Sequence, residues 1–382
     1  MKVAVIASAA LSLVNFRGPL LHAMRALGHE VVCCAPAPDR GIVRQLQAMG
    51  VRLAPISLHR TGLNPLSDVR GFVALWRVLQ AERPEVVFSY TIKPVIYGSL
   101  AAHLAGTPRI FSMITGAGYA FLTEDLRQRA VGMLVMPLYR RALRQNRSVF
   151  FQNPDDLDQF DRLRLLRSRS QAVLVNGSGV DLDHFRPLPP VVNPPVFLLM
   201  ARLYREKGIR EFVAAARLVK ERYPQTRFCL VGSIDSNPSA ILPVELEAWK
   251  AEGVIEHTPW VDDVRPFLAA CSVYVLPSYR EGTPRTVLEA MAVARPTITT
   301  DAPGCRETVV DGENGFLVPV KDAQAVAQAM ERFILNPELI GRMGRCARTI
   351  AEQKYDVHDV NRIMVKVMGL VATSRTPPPL VQ

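Results

Sequence analysis

Residues 277–291 read Pro-Ser-Tyr-Arg-Glu-Gly-Thr-Pro-Arg-Thr-Val-Leu-Glu-Ala-Met and follow a short apolar run, Val273 to Leu276. That run reads as a buried strand. Thr283 before Pro284 has the pattern of an N-cap with proline at the first helical position, which predicts a helix from there to about Ala294. The stretch is therefore strand, loop, helix, with Glu281 in the loop and Glu289 in the helix. In an open α/β sheet, loops at the carboxyl ends of strands are where ligands bind. Two glutamates eight residues apart are otherwise ordinary surface charges, so their meaning depends on the rest of the chain.

With 382 residues the chain exceeds one ordinary core and fits two domains of about 180 residues each. Apolar residues make up 49% and charged residues 21%, enough to bury large cores and to exclude general disorder. Six scattered cysteines, Cys33, Cys34, Cys229, Cys271, Cys305 and Cys346, form no Cys-x-x-Cys pair. They read as small buried hydrophobes in a reducing compartment. The apolar first sixteen residues resemble a signal peptide superficially, but they have one lysine and run directly into a helical pattern ending near Val31, as a first βαβ unit does. No stretch approaches the ~18 to 20 apolar residues that span a bilayer. The expected location is cytoplasmic, peripheral on the inner face of the cytoplasmic membrane.

Short apolar runs alternate with amphipathic ones throughout. Strands are expected at Val3 to Ala7, Val31 to Ala35, Val51 to Ile56, Val86 to Ser89, Arg109 to Met113, Ser148 to Gln152 and Ala172 to Val175. Helices lie between them, near 17–27, 41–49, 66–82, 94–105, 125–146 and 154–163. Prolines 187, 189, 190, 194 and 195 can continue neither element and read as a stiff linker. The alternation then resumes, with strands at Val196 to Met200, Arg227 to Val231, Val254 to His257, Val273 to Leu276, Thr297 to Thr300 and Phe316 to Val318. Strict alternation predicts an α/β fold of two doubly wound parallel sheets, over 1–187 and 188–358, with a last helix at 359–371. No Gly-x-Gly-x-x-Gly follows any strand, which removes most support for a dinucleotide-dependent dehydrogenase.

After the first strand of the second half comes Ala201-Arg202-Leu203-Tyr204-Arg205-Glu206-Lys207-Gly208. An Arg and a Lys five apart, in a loop that opens a helix, can converge on an anion that also feels the helix N-terminus.

These segments together resemble the retaining nucleotide-sugar glycosyltransferases of family 4. Glu281 and Glu289 match the Glu-x7-Glu signature, and Arg202 to Gly208 match Arg-Leu-x-x-x-Lys-Gly. The resemblance implies the GT-B architecture, two Rossmann-like domains facing across a cleft, with the last helix crossing back to the first. It implies that Arg202 and Lys207 grip the nucleotide diphosphate, that Glu289 binds the ribose, and that Glu281, with Gly282 and Thr283, binds the donor sugar. Arg202, Lys207 and Glu281 would be the catalytic set. Trp260 and Val261 would form the base-binding wall, with core packing of Trp260 as the alternative. The first domain would hold the acceptor through Ser12, Asn15, Arg17, Lys93, Thr115 and Gly116, with Ala9 to Arg17 forming a loop.

The chain departs from the family pattern at several points. Pro284 and Pro259 stand where glycine is usual, and Thr115 stands where many relatives carry a histidine. Two Asp-x-Asp triplets, Asp156-Leu157-Asp158 and Asp181-Leu182-Asp183, are short enough to arise by chance. Positive charge from Arg202 and Lys207 would do the work a metal does elsewhere, so no metal and no cofactor is expected. Residues 89–94 and 114–121 resemble surface-polysaccharide members, which implies a polyprenyl-diphosphate-linked acceptor and a UDP-hexose or UDP-N-acetylhexosamine donor. A nucleotide-sugar 2-epimerase, a transferase to a soluble acceptor and a non-catalytic scaffold are the rival readings.

The charge is uneven. Residues 1–187 hold 23 Lys+Arg against 13 Asp+Glu, and residues 188–382 hold 23 against 22. The excess concentrates at 126–147 and 162–169, where arginines alternate with apolar residues. Such stretches suit an anionic membrane surface, or are simply domain helices with arginines on their wet face. No recognition motif accompanies the basicity, so nucleic acid is not an expected partner.

Overall fold

A computed structural model describes residues 1–58, 65–116, 126–235, 237 and 239–371, without the side chains of residues 65, 126–131 and 134. The residues form two compact units. The first comprises Met1–Phe151, Leu157–Val175 and the chain from Asn361 onward, and the second Gln152–Asp156 and Asn176–Val360. The changeover between 175 and 176 precedes the proline run, whereas the sequence places it at 187/188. The difference arises because the Asn176–Gly177–Ser178 turn and the residues after it are bound by the second unit: Val180 N–H donates to the Tyr355 carbonyl at 2.8 Å.

The first unit is a seven-stranded parallel sheet. Its strands are β1 (Lys2–Ile6), β2 (Glu30–Ala35), β3 (Arg52–Pro55), β4 (Val86–Tyr90), β5 (Arg109–Ile114), β6 (Ser148–Phe151) and β7 (Ala172–Leu174). Their order is β3-β2-β1-β4-β5-β6-β7, so the winding reverses between β1 and β4. Every residue of β4 is buried, as a sheet covered by helices on both faces requires. The expected 9–17 loop is instead the start of a helix, Ala10–Ala26. The segment has alanines and leucines where the family pattern has glycines, and these favour a helix. Beyond the last helix, Val357–Val367, His29 Nε2 lies 2.9 Å from the Leu370 carbonyl, and Arg109 donates to the Gly369 carbonyl at 3.4 Å.

The second unit repeats the plan with six strands: β8 (Val196–Met200), β9 (Arg227–Val231), β10 (Glu256–Thr258), β11 (Val273–Leu276), β12 (Thr297–Thr300) and β13 (Gly315–Val318). The order is β10-β9-β8-β11-β12-β13, all parallel. Its core joins Phe197, Phe228 and Phe212 on one face, while Tyr274, Leu276, Leu288 and Met291 pack on the other. The helix after β11 spans Arg285–Ala292, with Pro284 in extended conformation at its N-cap position. Thr283 is not the cap, because its hydroxyl donates to the Gln152 carbonyl at 3.0 Å.

Among the described residues, the Arg295 side chain is wholly buried with backbone carbonyls, not a carboxylate, as its oxygen partners. Arg295 donates to the carbonyls of Leu268 at 3.0 Å, Leu188 at 3.1 Å, Pro189 at 2.9 Å, Ala269 at 3.2 Å and Val293 at 3.4 Å. Two of these carbonyls belong to the last turn of the helix Arg265–Ala270, whose terminal oxygens have no intrahelical donor. Arg295→Ala should therefore lower the unfolding free energy by about 3 kcal/mol, the cost of orphaning several buried acceptors. Urea unfolding checks this, and Arg295→Lys, with fewer donors in a less rigid array, should recover only part of the loss.

Candidate functional site

In the second unit the winding reverses between β8 and β11, so the loops that leave these two strands emerge side by side on one sheet edge. That is the switch point where open α/β sheets bind ligands. After β8, residues Arg205–Lys207 make one 3-10 turn, and Gly208 turns left-handed at φ 70° into the helix Ile209–Arg222. A Cβ at Gly208 would lie 2.1 Å from the Pro277 carbonyl oxygen. Only glycine lets the two loops approach this closely. They are tied together further by Tyr279 N–H donating to the Glu206 carbonyl at 2.9 Å.

This approach brings Lys207 and Glu281 into direct contact as an ion pair. Ser278 Oγ lies 2.8 Å from Glu281 Oε1 and 2.9 Å from the Glu206 carbonyl, and its single proton serves one acceptor at a time. Glu281 N–H donates to the Pro303 carbonyl at 2.9 Å. Gly304, at φ 80°, sits so near the Glu281 carbonyl that a Cβ there would lie 2.2 Å from it. Arg202 is exposed at the same edge. Its guanidinium stacks 4.6 Å from the centroid of the Tyr204 ring and donates to the Tyr204 hydroxyl at 3.1 Å, while that hydroxyl bonds Asp235.

Glu289 points from the first turns of the Arg285–Ala292 helix and is buried, with Arg285 Nε 2.8 Å from its Oε1. Trp260 follows β10 on the same edge and is 54% exposed, which rules out the core alternative. Its N–H is held at 2.8 Å by Ser233 Oγ. Val261 is partly buried and packs on the core beneath. Gly282 is buried and Thr283 half-buried beside it.

The first unit has its own switch point, between β1 and β4. Thr91 donates to Ser8 Oγ at 3.0 Å, and Ser12 Oγ lies 2.8 Å from the Tyr90 hydroxyl. Lys93 pairs with buried Asp68 at 2.6 Å, and Tyr97 donates to the other Asp68 oxygen at 3.1 Å. Thr115 and Gly116 follow β5 on this edge and are half-buried, whereas residues 117–121 lie outside the description. Asn15 is exposed on the first helix. Arg17 departs from the expectation of an accessible binding residue: it is buried against the Tyr90 ring, 5.0 Å from its centroid, and 2.7 Å from Met113 Sδ.

The two Asp-x-Asp triplets are engaged elsewhere. Asp156 pairs with Arg280, Asp158 pairs with Arg169 at 2.7 Å, and Asp181 accepts from the backbone of Asp183 at 3.0 Å and His184 at 2.9 Å. Part of the basic surplus is likewise committed within the fold. Arg140 donates to the carbonyls of Leu163 at 3.2 Å and Arg164 at 3.0 Å. The side chains of Arg127 and Arg129 lie outside the description. No helix among the described residues is long and apolar enough to cross a membrane.

Sequence reasoning missed Tyr204, Asp235, Asn153, Asp156, Arg280 and Asp68. Tyr204 lies in the Arg202–Gly208 motif, Arg280 in the 277–291 stretch and Asp156 in an Asp-x-Asp triplet, where none of them was given a role, and Asp235, Asn153 and Asp68 are brought to the sites by the fold.

Residues 17–177 match the glycosyl transferase 4-like domain, and residues 194–336 match the glycosyl transferases group 1 model. N,N'-diacetylbacillosaminyl-diphospho-undecaprenol alpha-1,3-N-acetylgalactosaminyltransferase of Campylobacter jejuni is 24% identical over 97% of this chain and 99% of its own length. UDP-Gal:alpha-D-GlcNAc-diphosphoundecaprenol alpha-1,3-galactosyltransferase of Escherichia coli is 25% identical over 70% of each chain. The structure of Anabaena HepE in complex with UDP matches with a TM-score of 0.75 at 17% identity, covering 97% of this chain and 100% of that one. Sucrose-phosphate synthase from Thermosynechococcus elongatus matches with a TM-score of 0.80 at 19% identity, covering 96% and 98%.

Burial pushes the Glu289 carboxyl above its ordinary value of 4.5, and Arg285 offsets part of that rise. The folded chain thus holds this proton to higher pH than the unfolded chain does. The site's contribution to stability therefore falls as pH rises from 4.5 through the raised value. Glu289→Gln should remove this slope. In urea unfolding at a series of pH values, the variant should gain on the wild type as pH is raised toward neutrality.

Proposed function

We propose, from the premise that the chain belongs to the GT-B glycosyltransferases with a 4-like domain followed by a group 1 domain, that it builds a lipid-linked glycan for surface polysaccharide. The donor in this reading is a UDP-hexose or UDP-N-acetylhexosamine, and the acceptor is a polyprenyl-diphosphate-linked saccharide. The observation that carries the donor half is the Lys207–Glu281 contact at the β8–β11 switch point, with Arg202 and Glu289 on the same edge. Cations there meet a diphosphate, and carboxylates meet sugar and ribose hydroxyls, each able to accept from two adjacent hydroxyls. The names of the Campylobacter and Escherichia relatives support the acceptor half.

In this mechanism the bond from the sugar's anomeric carbon to the diphosphate breaks, and the acceptor hydroxyl attacks from the same face, with retention. The leaving diphosphate oxygen takes the hydroxyl proton. Arg202 and Lys207 stabilise the charge that develops on the diphosphate, and a single such donor contributes about 3 kcal/mol in a water-poor site. That assigns no task to a metal. Glu281, already bound by Lys207 and Ser278, is suited to holding sugar hydroxyls. Trp260 offers its ring as a wall for the base. Ser12, Asn15, Lys93, Thr115 and Gly116 belong to acceptor recognition, with Arg17 supporting Tyr90 beneath them. The exposed arginines of the first unit would hold the protein on an anionic membrane face, on the cytoplasmic side where nucleotide sugars are.

Lys207→Ala should reduce kcat by about 100-fold or more, and Glu289→Ala should weaken UDP binding by about 10- to 100-fold, both with the fold retained by circular dichroism. The direct test incubates purified protein with bacterial membranes, EDTA and a panel of labelled UDP- and GDP-sugars. Label entering the organic-extractable lipid phase supports donor, acceptor and metal independence together. Label remaining in a nucleotide sugar of altered configuration would establish an epimerase instead, and a water-soluble glycoside would replace the lipid acceptor.

A further inference from the structure

We propose that Asn153 and Asp156, acting with Arg280, are positioning residues that fix the attitude of Glu281 and Gly282 toward the donor sugar. The proposal rests on the donor reading above and gives a role to residues that received none from the sequence. Residues Gln152–Asp156 belong to the second unit although the strand before them and the helix residues after them belong to the first. The reason is a set of contacts to four consecutive residues of the donor loop. Asp156 pairs with Arg280. Asn153 Nδ2 donates to the Gly282 carbonyl at 2.8 Å and lies 3.3 Å from the Glu281 carbonyl. The Gln152 carbonyl accepts from the Thr283 hydroxyl at 3.0 Å. Beside them, Arg306 joins Asp155 at 3.0 Å to Asp301 at 2.7 Å.

The two side chains at the centre are wholly enclosed: Asn153 and Asp156 are each 0% exposed. Asn153 works on both sides, because its Oδ1 accepts from Asp156 N–H at 2.7 Å, capping the helix Pro154–Arg162, while its amide group reaches the loop. Burial, with a smaller push from Asp155, raises the Asp156 carboxyl, and Arg280 and Asn153 work against that rise. A buried ion pair of this kind adds little stability over apolar residues of the same volume, but it fixes geometry through directed bonds. Arg280 immediately precedes Glu281, so holding its guanidinium fixes the peptide from which the glutamate departs. Sugar hydroxyls are recognised by angle as much as distance, and a carboxylate misplaced by about 1 Å can cost about 100-fold in rate.

Two variants separate this role from helix capping. Asn153→Ser keeps an oxygen that caps the helix but cannot reach the Gly282 carbonyl, and Asp156→Asn keeps the shape while removing the charge that holds Arg280. Hydrogen–deuterium exchange of the amides of 281–283 reads the loop without any ligand, and both variants should exchange at least about tenfold faster there, with the 157–162 amides unchanged. Calorimetry with UDP and with the UDP-sugar accepted by the wild type should show UDP affinity within about twofold of wild type, and affinity for the sugar nucleotide, or kcat, lowered about 10- to 100-fold. Unchanged exchange in both variants overturns the positioning role. Equal losses for UDP and UDP-sugar also overturn it, since they indicate general damage to the unit. Faster loop exchange in the variants of a wild type that binds no nucleotide sugar upholds the clamp and overturns the donor reading alone.

Discussion

The parallel pairing of β8 with β11, in register from Val273 against Phe197 to Tyr274 against Leu198, is the constraint from which the candidate site follows. Parallel neighbours end on the same edge, so their loops leave in the same direction. The connections of the two strands run to opposite halves of the sheet, so nothing of the sheet itself fills the space above them. Gly208 then decides how close the loops come, because any Cβ there would strike the Pro277 carbonyl. Lys207 and Glu281 meet as a consequence of that backbone approach, and the serine and carbonyls around them take up the remaining hydrogen bonds.

The second unit buries several charges, each with a specific answer to the cost of desolvation. Glu289 has Arg285 one helical turn away, Asp156 has Arg280 and Asn153, and Arg295 has five carbonyl oxygens. Burial raises both carboxyls against the pull of their arginines, so these groups are kept at some expense to stability. Arg295 is different in kind: it completes a helix end and the proline linker, and its function is architectural. The charges that stay at the surface, such as Arg227 with Glu256 or Arg217 with Glu252, are screened pairs that contribute little.

The first unit uses the same winding with another chemistry. Its switch point carries hydroxyls, Ser8, Ser12, Tyr90 and Thr91, and a lysine neutralised by Asp68, in place of two cations facing two carboxylates. Neutral donors and acceptors with one compensated charge suit a saccharide better than a bare diphosphate. In the proposed function, donor and acceptor are divided between the two units along this contrast.

The alternation of apolar and amphipathic runs determined the two doubly wound sheets, because strand and helix periods are local properties of a few residues. The positions of Arg202, Lys207 and Glu281 at one sheet edge were legible for a related reason: short loops at strand ends leave little freedom in where their side chains go, and Glu289 follows in the helix that the last of these loops opens. Helix ends and the unit boundary were read less well. Thr283 looked like a cap because its competing partner, the Gln152 carbonyl, is distant in sequence, and the proline run looked like the boundary because the backbone bonds of Val180 cannot be seen in composition. Arg17 was given to acceptor binding by resemblance, and its packing against Tyr90 and Met113 turned it inward. The pairing of Asn153 and Asp156 with the Arg280–Gly282 stretch left no local signal, since it acts across more than a hundred residues of chain. Periodicity and loop chemistry are written in neighbours, whereas the partners that hold a loop in place exist only once the chain has closed on itself.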